Sequence, residues 1–187
     1  MHQSTKNETG SGDHSRLLAT ARLLRGAHLG SIWEGTGNIV ALDALKRAVG
    51  CHGAESALAA DLHARLDEIG AVQQAWRDRP RHLTDRAVGF AHEVAARVDH
   101  EAEARRATSL LYHVASAVAL AWEGTRIYAM RGDARRLLLS RLVLGHRLPS
   151  DDPFRLAENT VQDAIATLLL GERPAGMAEV GELLLAA

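Results

Sequence analysis

Aromatic residues make up only 4% of the 187-residue chain, and it contains one cysteine, Cys51. One thiol cannot build a disulfide framework, so a stapled secreted scaffold is excluded and a reducing, intracellular setting is the simplest reading. A chain of this length buries roughly 70% of its unfolded surface, so it needs no disulfide or metal staple. Long apolar runs are missing as well. The longest uncharged stretch covers 107–122, 16 residues that include Ser109, His113 and Ser116, and it is short and wet for a membrane span. The amino terminus is polar and lacks the apolar stretch of a secretory signal. A cytoplasmic protein without membrane insertion is the expectation. Neither sign of charge dominates, with 22 Lys plus Arg against 23 Asp plus Glu and a net charge of −1. That balance argues against a surface built wholly for nucleic acid. Sustained period-two alternation is absent and β-branched residues are sparse, which leaves little room for strands.

What remains is a chain that is 47% apolar, with its apolar positions at helical spacing from residue 13 onward. Residues 1–12 are polar and aperiodic and read as a disordered tail. A short helix over 13–26 carries Leu17, Leu18, Ala21 and Leu24, and a loop follows over 28–35. The second helix bears Ile39, Leu42, Leu45 and Val49, with Gly50 placed to form a left-handed C-terminal cap. The clearest stripe is Leu58, Leu62, Leu66, Ile69, Val72 and Trp76, and it predicts one helix that Pro80 stops. Thr84 is the expected N-cap of a fourth helix with Val88, Ala91, Val94, Ala95 and Val98 on one side. A charged hinge lies over 99–106. Beyond it Leu110, Leu111, Val114, Val118 and Ala121 form a wide apolar face. Residues 135–144 predict a further helix carrying Leu138, Leu142 and Val143. Asp152 followed by Pro153 is a start signal for a helix reaching about Leu170, and a loop over 171–176 leads to a short apolar tail. The pattern is all-α, an antiparallel helical bundle over 13–148, with 149–187 as additional helices.

Charge is unevenly placed along this pattern. Positions 126–147 hold six arginines and one aspartate, a local +5, whereas 148–187 hold seven acids and two arginines, a local −5. Salt bridges between the arginines and this acidic tail are the favoured reading, since such runs commonly pair locally.

One segment concentrates residues with chemical potential: Ile32-Trp33-Glu34-Gly35-Thr36-Gly37-Asn38-Ile39. Gly35 and Gly37 allow close approach of a backbone or ligand. Thr36 or Asn38 can cap the following helix, whose first free N–H groups suit a pyrophosphate. A carboxylate beside Trp33 in an apolar pocket would have a raised pKa, as a general base near neutral pH requires. From residue types alone, a capped helix start with Glu34 on the surface is the plainer reading.

This octapeptide resembles the motif that opens the last helical domain of acyl-CoA dehydrogenases, and is most similar to the AidB-like (alkylation-response) branch. The flanking Arg22-Leu23-Leu24-Arg25 and Ala41-Leu42-Asp43-Ala44-Leu45 fit that branch too. The resemblance is dense over 16–48 and extends by helix order and length to about 148. The family usually has an acid where Gly26 follows Arg25. Its upstream Gly-Gly-x-Gly-aromatic stretch corresponds here to Gly10-Ser11-Gly12-Asp13-His14.

The resemblance implies an FAD-dependent oxidoreductase that dehydrogenates an acyl-CoA thioester between its α and β carbons. Glu34 would be the catalytic base, and Trp33, Gly35, Thr36 and Asn38 would lie against the cofactor. Family members precede the motif with a helical domain and a small β-domain, so a homo-oligomer or a partner chain supplying those domains is implied. The alternative is a catalytically silent helical module for oligomerisation or DNA contact. The AidB-like branch is associated with DNA binding through this region, which would assign phosphate contacts to Arg131, Arg135, Arg136 and Arg141, with Arg147 nearby.

Other features carry less. Trp122-Glu123-Gly124-Thr125 echoes four residues of the motif inside a long apolar helix and reads as coincidence. No two of the ten histidines stand four apart and none pairs with Cys51 at ligand spacing, so no metal site is expected. His113 reads as a core or interface histidine and Trp76 as packing. No Gly-x-Ser-x-Gly elbow is present.

Overall fold

The computed structural model describes residues 37–70, 74–148 and 159–186. The polar tail over 1–12, the helix over 13–26, the loop over 28–35 and the Asp152-Pro153 start signal lie outside the described residues. The chain divides into two compact units, 1–40 and 41–187. Of the first, the described residues Gly37 to Val40 are helical and exposed. The second holds the core. The described residues form seven α-helices, one π-helical and one 3-10 segment, with no strand among them. None of these helices is long and apolar enough to cross a membrane.

Helix α1 (Gly37–Asp43) continues into a π-helical segment, Ala44–Cys51. Ala41, Leu45 and Val49 are buried, whereas Ile39 is 61% exposed. The buried spacing of four residues suits a coil wider than the α-helix, whose bonds run i→i+5. Gly50 therefore lies within the π-helical segment rather than forming a left-handed cap. That conformation falls to Gly53, with φ 58°, whose N–H reaches Val49 O at 2.9 Å. Because the coil carries on through Cys51, the chain reverses three residues later than the sequence suggests.

The stripe from Leu58 to Trp76 is split between two helices. Helix α2 (Ala54–Asp67) buries Leu62 and Leu66 and then ends. Glu68, Ile69 and Gly70 follow in tight turns, and Ile69 is nonetheless fully buried. Trp76 belongs to helix α3 (Gln74–Ala96). Apolar spacing persisted across the break because both flanks feed one core. Val72 lies outside the described residues.

Pro80 neither stops a helix nor precedes a new one. It lies inside α3, and Thr84 is fully buried there rather than serving as an N-cap. The buried face of α3 runs Trp76, Pro80, Thr84, Ala87, Ala91, Val94, spaced 4, 4, 3, 4, 3. An internal proline costs ~3 kcal/mol by losing a hydrogen bond and crowding a carbonyl. Burial of a single large apolar side chain contributes ~1.5–3 kcal/mol, so a face that includes Trp76 and Val94 offsets it. The Thr84 hydroxyl donates to Pro80 O at 2.8 Å, which satisfies it within the helix.

The charged hinge becomes a 3-10 segment, Val98–Glu103, followed by helix α4 (Ala104–Arg131). Its buried face is mostly small: Ala104, Ala107, Val114, Ala117, Val118, Ala121 and Gly124. Small residues let the next helix approach closely. Helix α5 (Arg135–Arg147) buries Leu137, Leu138, Ser140 and Leu144, while Leu142 and Val143 are only partly buried. A Cβ on Gly124 would stand 3.1 Å from Leu137 N. Beside this contact, Ser140 Oγ donates to Ala117 O at 2.7 Å, a buried bond between α4 and α5.

Helices α6 (Asn159–Leu170) and α7 (Met177–Leu185) complete the described chain. Ile165, Val180 and Leu184 share one apolar cluster with Leu66, Val118 and Leu137. The segment after residue 158 is thus part of the same core. A smaller cluster joins Leu45 and Val49 to Ala91, Val94, Ala104 and Ala107.

Candidate functional site

Trp33, Glu34, Gly35 and Thr36 lie outside the described residues. The described chain opens immediately after them, at Gly37, already helical. Asn38 is exposed within the first turn of α1 and is a helical residue rather than its N-cap.

The arginine segment is distributed over several environments. Arg131 stands exposed on the last turn of α4. Arg135 forks onto Asp133, with Nη2 to Oδ2 at 2.7 Å and Nε to Oδ1 at 2.9 Å, and also donates to Gly171 O. Arg136 pairs with Glu123. Arg141 donates to Leu184 O at 3.0 Å, and burial, followed by the charge of Arg79, pulls its pKa below the ordinary arginine value. Among the described residues, the acidic partners of Arg135 and Arg136 are Asp133 and Glu123, which precede the C-terminal region; Asp151, Asp152 and Glu158 of the expected acidic tail lie outside the described residues. Arg135 and Arg141 reach the C-terminal region through backbone carbonyls, because the ends of α6 and α7 present free C=O groups there.

Asp133 is the hub of this corner. Besides the Arg135 side chain it accepts from Arg135 N at 3.1 Å and Ala175 N at 3.5 Å. The Arg135 guanidinium first, with these amides, holds its pKa down to about 2.

The echo Trp122-Glu123-Gly124-Thr125 lies in mid-α4, and each of its first three residues has a structural task. Trp122 binds Glu68, Glu123 pairs with Arg136, and Gly124 admits Leu137. No periodicity argument reaches this result, since the partners sit on other helices.

Among the described residues no group of three or more His, Cys, Asp or Glu is placed to hold a metal. The histidines occur instead in pairs with acids, His63 with Asp85 at 3.0 Å and His92 with Glu55 at 3.2 Å. Cys51 is exposed. Trp76 is buried in the main cluster. His113 is half-buried at the mouth of a cavity, a position its apolar helix did not disclose. Searches for relatives return no matching protein family, no matching curated protein and no matching solved structure.

Proposed function

We propose that this chain is the carboxy-terminal helical domain, or a separate subunit, of an FAD-dependent acyl-CoA dehydrogenase-like oxidoreductase, with its helices in an antiparallel bundle. The observation that carries the reading is positional. The last three residues of the Ile32–Ile39 motif, Gly37 to Ile39, are helical and continue through Asp43, in line with the family's motif opening a helical domain. Seven α-helices and no strand among the described residues support it at the level of fold class.

Gly37 and Asn38 are helical and exposed, as residues lying against a cofactor edge would be. Glu34 is the proposed base, taking the α-proton of the acyl thioester. Trp33, Gly35, Thr36 and Asn38 would hold the flavin, which when bound supplies the two-electron acceptor. An acyl-CoA is the proposed substrate, and a second copy or a partner chain the proposed source of the rest of the pocket.

The test is the visible spectrum of the purified chain, alone and in any complex it forms, during titration with FAD. Bound flavin with displaced peaks is expected, and Glu34→Gln should then abolish dehydrogenation while leaving assembly intact. Absence of flavin uptake in both preparations would overturn the proposal. A silent module for self-association or DNA contact is the second reading, favoured by large apolar side chains left outside, among them Met130 at 73% and Leu170 at 84% exposure. Assembly without flavin uptake is its signature, and DNA contact would add binding that weakens with salt.

A further inference from the structure

Two cavities lie side by side where α3, α4 and the end of α5 converge, and they share Arg106, Leu110 and Leu148. The first, about 320 Å³, is also lined by Ser109, His113, His146 and Arg147. No acid lines it. The second, about 340 Å³, is lined by Leu83, Ala87 and Phe90 together with Arg86 and Glu93. The Arg106 guanidinium lies over the Phe90 ring at 5.3 Å and so stands between the two.

We propose that these cavities form one binding site for a phosphate monoester with an apolar body, the phosphate among Arg106, Ser109, His113, His146 and Arg147 and the body over Phe90 and Leu110. This site is separate from the flavin reading and does not depend on it.

Donor chemistry sets the class. Whereas Glu93 lies on the second cavity, where the apolar body would sit, two guanidiniums, two imidazoles and a hydroxyl line the first, with no carboxylate among its described lining residues. That set exceeds what the two oxygens of a carboxylate accept and matches the three terminal oxygens of a phosphate monoester. Arg106 Nη1 lies 3.5 Å from Glu103, an exposed pair worth little. Arg147 has no carboxylate partner among the described residues. The attraction comes from side chains alone, since α5 ends here and turns the negative pole of its dipole this way. Burial, then the charge of Arg147, holds His113 below its ordinary pKa. Arg106 and Arg147 give this lining a positive charge that an entering anion balances. The size of each cavity falls within the range of small-molecule sites, and Phe90, Leu110 and Leu148 supply apolar area that inorganic phosphate cannot use.

The experiment titrates the full chain with octyl phosphate, inorganic phosphate and octanol, following the ring-proton NMR signals of His113 and His146 and the affinity by calorimetry. Octyl phosphate is expected to bind and move both histidine signals. Inorganic phosphate should bind at least about tenfold more weakly, from loss of the apolar contacts. The double variant Arg147→Ala with His146→Ala changes two exposed side chains and should weaken octyl phosphate by about tenfold or more. Unmoved histidine signals in the wild-type chain would overturn the site, whatever the variant does. Octanol binding as tightly as octyl phosphate would overturn the phosphate assignment, as would a DNA duplex that occupies the same histidines more tightly.

Discussion

Trp122 and Glu68 stand 54 positions apart, and the indole Nε1–H donates to Glu68 Oε2 at 2.6 Å. The bond ties the middle of α4 to the C-terminal cap of α2. Two guanidiniums frame the same ring, Arg126 at 3.9 Å and Arg65 at 4.8 Å from its centroid. Arg126 also reaches Glu68 at 3.2 Å. A cation–π pair and an ion pair thus converge on one indole, on the exposed side of the helices whose inner faces share the main core.

The Trp122 bond first, and then Arg126, holds the Glu68 carboxyl below the ordinary glutamate range. A depressed folded-state pKa stabilises the fold above the unfolded value, and that contribution is lost as pH falls through the folded value. Trp122→Phe should let the Glu68 titration move up toward the ordinary range. Carboxyl NMR titration of both proteins checks this, and an unchanged Glu68 would mean that the indole does not set its charge.

Asp133, at about 2, has the same sign and a wider window. Its contribution is complete above the unfolded aspartate pKa near 4 and fades as pH falls toward 2. Asp133→Asn should be less stable than the parent at pH 7, with the gap narrowing between about pH 4 and 2. Urea midpoints measured across that interval decide it. A gap independent of pH would place the effect in geometry instead of charge.

Gly124→Ala gives a direct contest between local and tertiary preference. Alanine favours a helix interior by up to ~1 kcal/mol. The added Cβ would meet Leu137 N at 3.1 Å and its side chain at 3.2 Å, and overpacking of this kind costs ~1–3 kcal/mol. A net loss of about 1 kcal/mol in chemical unfolding is expected. Unchanged or increased stability would show that α5 can move aside.

Glu55 is 4% exposed, and its Oε2 has no hydrogen-bond partner. Oε1 meets His92, a largely exposed ring that can turn to water. Removing an unsatisfied buried oxygen relieves a penalty of ~1–3 kcal/mol, against ~0.3–1 kcal/mol of favourable charge at the start of α2. Glu55→Met should therefore raise stability by about 1 kcal/mol, read as a higher denaturant midpoint. A clear drop would assign Glu55 a partner that binds it in solution.

The core supplies the scale for these effects. Leu66→Ala, at a fully buried position, should cost ~2–5 kcal/mol. Leu170→Ala, at 84% exposure, should stay within ~0.5 kcal/mol. Similar losses at the two positions in thermal unfolding would contradict the packing described above.

Helical class was determined by the sequence itself, because the spacing of Leu62 and Leu66, of Val114 and Val118, and of Leu45 and Val49 is a local property of one chain face. The octapeptide around Glu34 is a string of neighbouring residues that sequence alone displays, and of it the structure describes Gly37, Asn38 and Ile39, all helical. Helix ends were not. Pro80 and Thr84 carry local signals for a break, yet α3 passes through both because burial of its Trp76-to-Val94 face outweighs them. The stripe through Ile69 to Trp76 looked continuous although two helices share it, since the core rewards apolar position and is indifferent to the turn between. Partner choice was decided by tertiary structure alone. Arg135 meets the Gly171 carbonyl, Arg136 meets Glu123, Trp122 meets Glu68, and Arg106, His113 and Arg147 line one cavity, all through contacts that linear spacing does not encode.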